Sequence, residues 1–315
     1  VPPPIKTLIR WTDLPDGADA SHAGRMNTPL RRRVLAGITL ILTALAGLPV
    51  ACGAQTVPSA PEGGQPIVIG TSYVIPSVIL GDRRRLNIYL PEHHADPTRR
   101  FPVVYLLDGG LAEDFHHITG LARINAAYGA GQEVIVVGVE GVDRRHDLTA
   151  PSATASDRQL LPTSGGAAAY RRFLVEEVRP FVAAHFRAGP RSALMGESLA
   201  GLFVAETLLK APTTFDDYVI VSPSLWWDQG ALANGATEDL RRGGFAGHRA
   251  FVAFDDPPPP AEAQARDLAR QAQFAAALTG ADNGLAVTIV RPGEGHGSIY
   301  HPAALQAFRR LFGVP

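Results

Sequence analysis

The segment Gly196-Glu197-Ser198-Leu199-Ala200-Gly201 sets a serine among small residues. The run Arg191–Met195 before it reads as a short strand, and Leu199–Lys210 after it as a helix. A serine at a sharp strand-to-helix turn is the context of a nucleophile elbow, which needs small side chains two places before and two after. Gly196 and Ala200 meet that need; Ala200 stands where glycine is more usual, and Gly201 follows it. At the helix start, the dipole and the Leu199 N–H can stabilise an oxyanion formed when Ser198 attacks a carbonyl. The plainer reading, a serine N-cap, is worth only about 1 kcal/mol to the helix.

A serine needs a base in hydrogen-bond reach, and on this kind of scaffold the chain order is serine, acid, histidine. His296 fits, in a glycine-flanked loop (Gly293-Glu294-Gly295-His296-Gly297-Ser298) after a predicted strand, Ala286–Val290. His301 competes, but it precedes Pro302 and reads as the start of the last helix. The acid should follow the strand Ala250–Phe254. Asp256 is preferred over Asp255, with Glu262 as a third choice and a mere acidic turn as the alternative. Such an acid would hold the imidazole tautomer. A second oxyanion donor is expected in Asp108-Gly109-Gly110, from the N–H of Gly110 ahead of Gly109, because glycine lets a backbone come close.

The elements that must position these groups alternate. Ile67–Ile75 and Arg85–Leu90 read as an antiparallel pair. Pro102–Leu107, Glu133–Val139, Arg191–Met195, Tyr218–Val221, Ala250–Phe254 and Ala286–Val290 read as buried strands. Leu111–Tyr128, one continuous helix over Ala167–Phe186, Leu199–Lys210 and Pro302–Phe312 read as helices. The fold class is therefore α/β, with a mostly parallel central sheet covered by helices on both faces. Such a sheet places chemistry in loops at the carboxyl ends of its strands.

With the segments Tyr105-Leu106-Leu107-Asp108-Gly109, the Ser198 hexapeptide with Leu202-Phe203, Ser222-Pro223-Ser224-Leu225-Trp226-Trp227, and the His296 loop, the chain resembles an esterase family of the α/β-hydrolase superfamily. That family includes the enterobactin and bacillibactin esterases and is related to S-formylglutathione hydrolase and the mycolyltransferases. The resemblance covers Ile67–Phe312. It implies an α/β-hydrolase fold, Ser198 as nucleophile and His296 as base, and no metal or organic cofactor. It transfers the acid least well, since relatives often carry Glu or a Ser–His pair alone. The stretch Val142–Thr149 resembles the family's loop beside the site. There Arg144 would hold a polar or anionic substrate group, and His146 stands where relatives often have Arg. Trp226 and Trp227 would line an acyl or aryl pocket or pack in the core. The implied reaction is hydrolysis of a small-molecule carboxylic ester, siderophore-type lactones included. The alternatives are acyl transfer of the mycolyltransferase type and a non-catalytic binding module.

Composition narrows the field. The 315 residues are 46% apolar and 19% charged, which is globular rather than disordered. With 29 basic against 30 acidic residues, there is no excess charge to neutralise a nucleic acid backbone. The single cysteine, Cys52, excludes an internal disulfide framework. His93-His94 and His116-His117 are adjacent pairs that do not share a helical face, and they read as solvated, not as metal ligands. Arg31-Arg32-Arg33 followed by the uncharged Val34–Gly53 has the pattern of an export signal, broken by Leu48-Pro49 and ending in small residues. The expected division is residues 1–25 as an extension before a start at Met26, 26–54 as signal, 55–65 as linker, and 66–315 as the catalytic domain. The product would be periplasmic or secreted, with lipid on Cys52 as the alternative to release.

Overall fold

The computed structural model describes residues 63–313, apart from 128, 130 and 259. The expected extension, signal segment and most of the linker lie outside the described residues. In chain order, the strands are β1 (Thr71–Ser77), β2 (Asp82–Tyr89), β3 (Phe101–Leu107), β4 (Ile135–Val139), β5 (Ala188–Glu197), β6 (Asp217–Val221), β7 (Arg249–Ala253) and β8 (Ala286–Val290). The helices are α1 (Phe115–Ala127), α2 (Arg144–Asp147), α3 (Ala155–Leu160), α4 (Ala167–Phe173), α5 (Arg179–His185), α6 (Leu199–Lys210), α7 (Ala231–Arg241), α8 (Ala261–Gly280) and α9 (Tyr300–Phe312).

The eight strands form one sheet in the order β1-β2-β4-β3-β5-β6-β7-β8. β2 runs antiparallel to both of its neighbours, and every pair from β4 to β8 is parallel. The strands are short apolar runs because both faces are covered. On β3, Val103, Tyr105 and Leu107 face one core while Val104 and Leu106 face the other; on β6, Tyr218 and Ile220 alternate with Val219 and Val221. The first core takes Tyr170 and Phe173 of α4, most of α6, Ala233 and Leu240 of α7 and Phe274 of α8. The second takes Phe115 and Ile118 of α1 and the apolar stripe of α9 from Ala303 to Phe312. Each fully buried Val, Leu or Phe contributes roughly 1.5–3 kcal/mol, so the two cores fix the sheet tightly. This is the expected α/β-hydrolase architecture.

Two ion networks brace it. Asp217, fully buried at the start of β6, accepts from Arg191 at 2.9 and 2.7 Å and from Arg249 at 2.6 and 2.8 Å. That network ties β5, β6 and β7 at the end opposite their loops. Arg84 of β2 is buried against Asp147 of α2 and lies 5.8 and 5.9 Å from the Tyr170 and Phe173 rings. It anchors the segment that carries Arg144 and Arg145.

One expected helix is interrupted. Between α4 and α5, Leu174–Val178 forms a π-helical turn. Pro180, near the start of α5, has no N–H to give to an i−4 carbonyl, and the widened turn accommodates that loss. The same turn carries Glu177, which accepts from Ser77 Oγ at 2.5 Å and from the Val78 and Ile79 N–H groups at 2.9 and 3.1 Å. It thereby holds the β1–β2 turn.

Candidate active site

The carboxyl ends of four neighbouring strands carry four polar groups. Ser198 follows β5, Ser222 follows β6, Asp255 lies two residues beyond β7, and His296 lies in the loop after β8. Adjacent strands are about 4.8 Å apart, so these side chains are brought within reach of one another by the sheet itself.

Ser198 has φ +61° and ψ −120°, a strained conformation for a non-glycine residue. Its backbone is locked on both sides: its N–H donates to Val221 O at 3.1 Å, and its carbonyl accepts from Ser224 N–H at 3.1 Å. Room for the turn comes from absent side chains. A Cβ on Gly196 would lie 2.6 Å from Ala200 Cβ, and one on Gly201 would lie 2.5 Å from Val221 O. Ala200 therefore fits because Gly196 has no Cβ. The strand and the helix meet at the serine as expected, and Leu199, the first residue of α6, has no acceptor for its N–H within the helix.

His296 Nε2 lies 3.0 Å from Ser198 Oγ. Ser224 Oγ is the other neighbour of that hydroxyl, at 3.4 Å. The far ring nitrogen, Nδ1, lies 2.7 Å from Ser222 Oγ. The nearest oxygen of Asp255 is 3.7 Å from Nδ1, beyond hydrogen-bond reach. Asp255 is buried, and Gln271 Nε2 donates to its Oδ1 at 3.0 Å and to its carbonyl at 3.2 Å. Arg291 Nη1 in turn donates to Gln271 Oε1 at 2.8 Å and so orients that amide.

Of the three acids considered, the structure brings Asp255, the second choice, nearest to His296, and not the preferred Asp256. Asp256 is exposed, and its backbone N–H donates to Glu294 O at 2.8 Å. Glu262 is exposed in the first turn of α8. His301 pairs with His117 at 2.9 Å instead of with Ser198. The second expected oxyanion donor is also altered. The Gly110 N–H is engaged by Glu113 Oε2 at 2.6 Å, and the Gly109 N–H by Val139 O at 3.0 Å. Leu199 is the first residue of α6.

Arg144 reaches the cleft but is held by Asp108, with Nη2 2.7 Å from Oδ2 and Nε 3.1 Å from Oδ1. The two tryptophans part company. Trp226 lines the cleft, whereas Trp227 is buried and its indole N–H donates to Ala150 O at 3.0 Å. The cleft has a volume of about 470 Å³, and its wall includes Leu161, Leu225, Pro257 and Arg145 beside Ser198 and His296. Arg270, paired with Asp267 at 2.9 Å, closes the far side.

Electrostatics favour a base that is readily charged. The Asp255 carboxylate raises the His296 pKa above its ordinary value; burial opposes this, and Glu197 adds to it. Burial pushes Asp255 up, but the His296 imidazole and the Ser222 hydroxyl outweigh it, so Asp255 stays below the usual carboxylate range. Glu197 is pushed up to about 7, chiefly by burial, with the Asp114 and Asp108 charges adding and His296 opposing. Burial likewise raises Glu113, against the pull of the Gly110 N–H. Sequence reasoning missed Ser222, Gln271 and Glu113. Only Ser222 had a signal: it is the first residue after its strand, as Ser198 is after its own.

The chain is similar to several known proteins. The ferri-bacillibactin esterase BesA of Bacillus subtilis is 30% identical over 165 residues, covering 47% of this chain and 56% of that protein. The siderophore triacetylfusarinine C esterase of Aspergillus fumigatus is 33% identical over 162 residues, covering 47% of this chain and 53% of that one. The chain therefore spans about half the length of these curated relatives. An IroE-like serine hydrolase from Shewanella oneidensis superposes with a TM-score of 0.68 at 28% identity, covering 77% of this chain and 80% of that one. The sequence profile of the Esterase family, described as "Putative esterase", matches residues 77–256, more than half of the chain. Taken with the elbow at Ser198 and the strand order around it, that match places the chain in the Esterase family, on the α/β-hydrolase fold.

Proposed function

We propose that the chain is a serine hydrolase that cleaves carboxylic esters through an acyl-enzyme. The observation that carries this reading is the strained Ser198, its Oγ 3.0 Å from His296 Nε2, on the wall of an open cleft. Ser198 Oγ attacks the ester carbonyl while His296 Nε2 takes its proton. The Leu199 N–H donates to the oxyanion, and the Gly110 N–H joins it once Glu113 has withdrawn. The tetrahedral intermediate collapses, and the leaving alkoxide takes the proton from His296. Water, deprotonated by the same nitrogen, then releases the acid. Every proton moved in this sequence passes through Nε2.

The substrate proposed is a siderophore-type lactone. The relatives named as siderophore esterases support that class, and so does a cleft lined by both apolar side chains, Trp226 and Leu225, and the Arg145 guanidinium. A guanidinium suits planar, oxygen-rich ligands. Export is proposed on the basic cluster and apolar run at residues 31–53.

Turnover of p-nitrophenyl acetate and of a trilactone siderophore, by the wild type and by Ser198→Ala, tests the reading. Hydrolysis that depends on Ser198 is expected for both. Hydrolysis of neither, or turnover unchanged in Ser198→Ala, would overturn it. Ester exchange onto an added alcohol in place of acid release would instead favour the acyltransferase.

A further inference from the structure

His296 has two ring nitrogens, and only one is explained by the nucleophile. For Nε2 to accept the Ser198 proton, Nδ1 must carry the ring's own hydrogen. The atom placed to accept that hydrogen is Ser222 Oγ, at 2.7 Å, and not the Asp255 carboxylate, at 3.7 Å. We propose that Ser222 is a positioning residue, and that Asp255 sets the tautomer and charge of His296 through the Ser222 hydroxyl. This rests on the hydrolase reading above and deepens it.

The backbone is shaped for the role. Ser222 is buried, with φ +41°, and its N–H donates to Ala253 O at 2.8 Å. A non-glycine residue held there is strained, and the strain aims a short hydroxyl between β5 and β7. Sheet order puts Ser222 on the strand between those of the nucleophile and the acid. The polarity is consistent. With Nδ1–H donating to Ser222 Oγ, the Ser222 hydrogen is left for Asp255, whose charge that hydroxyl favours. Gln271 occupies the other carboxylate oxygen and keeps Asp255 from turning. No proton leaves Ser222; it conveys charge stabilisation to the imidazolium by its dipole. Burial raises Asp255, yet the Ser222 hydroxyl and the imidazole together bring it below the ordinary range, which agrees with that direction.

The charged groups around His296 are Asp255, Glu197 and Arg144, with Arg145, Asp267 and Arg270 further along the cleft. The test is the pH dependence of p-nitrophenyl acetate hydrolysis by the wild type, Ser222→Ala, Ser222→Gly, Asp255→Asn and the Ser222→Ala/Asp255→Asn double variant. Glycine accepts the positive φ, so Ser222→Gly removes the hydroxyl without backbone strain. Both serine variants are expected to lose about 10- to 100-fold in kcat with KM within about twofold, part of the roughly 10²–10⁴-fold typical of acid–base catalysis. Their acidic limb should move to lower pH, because the imidazolium has lost its acceptor. Asp255→Asn should move the limb the same way, and the double variant should be no slower than the poorer single one. Wild-type limbs in both serine variants, or losses that multiply in the double variant, would overturn the proposal. Fluorophosphonate labelling of Ser198 separates the two failures: absence of labelling in the wild type would remove the hydrolase reading, and this proposal with it.

Discussion

The two sides of the candidate active site are built from different materials. The Ser198 side is backbone. Ser198 is held by main-chain bonds to Val221 and Ser224, and by two glycines whose missing Cβ atoms let the turn close. The His296 side is made of side chains. His296, Ser222, Asp255, Gln271 and Arg291 come from loops or elements at β6, β7, α8 and β8; hydrogen bonds pair His296 with Ser222 and link Asp255, Gln271 and Arg291. A backbone device has one geometry and does not titrate. A side-chain chain is graded: each link can be weakened separately, and its protonation shifts the whole. On the proposed mechanism, the difference separates where activity is set from where it is tuned.

Removing the hydroxyl from the rigid side should have the largest effect. Ser198→Ala is expected to lower ester kcat/KM by about 10³-fold or more while melting like the wild type. On the graded side, Asp255→Asn should lose about 10²-fold, since the carboxylate acts at a remove. A loss as large as that of Ser198→Ala would erase the distinction between the two sides. Stability should show the reverse pattern. Gly196→Ala forces a Cβ to 2.6 Å from Ala200 Cβ, and overpacking of that kind costs about 1–3 kcal/mol, read as a lower denaturation midpoint.

A smaller effect concerns Glu197, which belongs to the rigid segment but feels the other side. Its pKa is raised to about 7 in the folded state, chiefly by burial. Between the ordinary glutamate value and about 7, the folded chain holds a proton that the unfolded chain has released, so stability falls as pH rises through that window. Glu197→Gln stays neutral throughout. Its melting temperature should match the wild type at acid pH, exceed it increasingly through the window, and keep a constant lead above it. The smallest effect should be that of Asp256→Asn, within about twofold of wild-type kcat/KM, because a solvated carboxylate contributes little.

The rigid side was legible in the sequence for the same reason that it is rigid. Its requirements are local: small residues at 196, 200 and 201, an apolar strand before and a helix after. His296 was found by chain order and its glycine loop. Of the two adjacent acids considered, the structure buries the second choice, Asp255, and exposes the preferred Asp256. β7 ends at Ala253, one place before the expected end at Phe254, and consecutive side chains leave a strand on opposite sides. Neighbouring residues beyond its end differ in the same way, Asp255 buried and Asp256 exposed. Glu113 escaped notice because its link to Gly110 depends on how the turn before α1 folds back. Ser222 was read only as part of an aromatic segment; its role appears when β6 is seen to lie between β5 and β7. The fold was more legible than the site, since buried strands announce themselves by unbroken apolar runs. The π turn at Leu174–Val178 was not, because apolar spacing is nearly the same in both kinds of helix.

The most direct measurement of the central claim is the mass of the intact protein after reaction with a fluorophosphonate, followed by mapping of the modified peptide. A single adduct on Ser198, prevented by a competing ester and absent from Ser198→Ala, is the predicted result. An adduct on Ser224, whose hydroxyl lies 3.4 Å away, or no adduct at all, would contradict the assignment of Ser198 as the nucleophile.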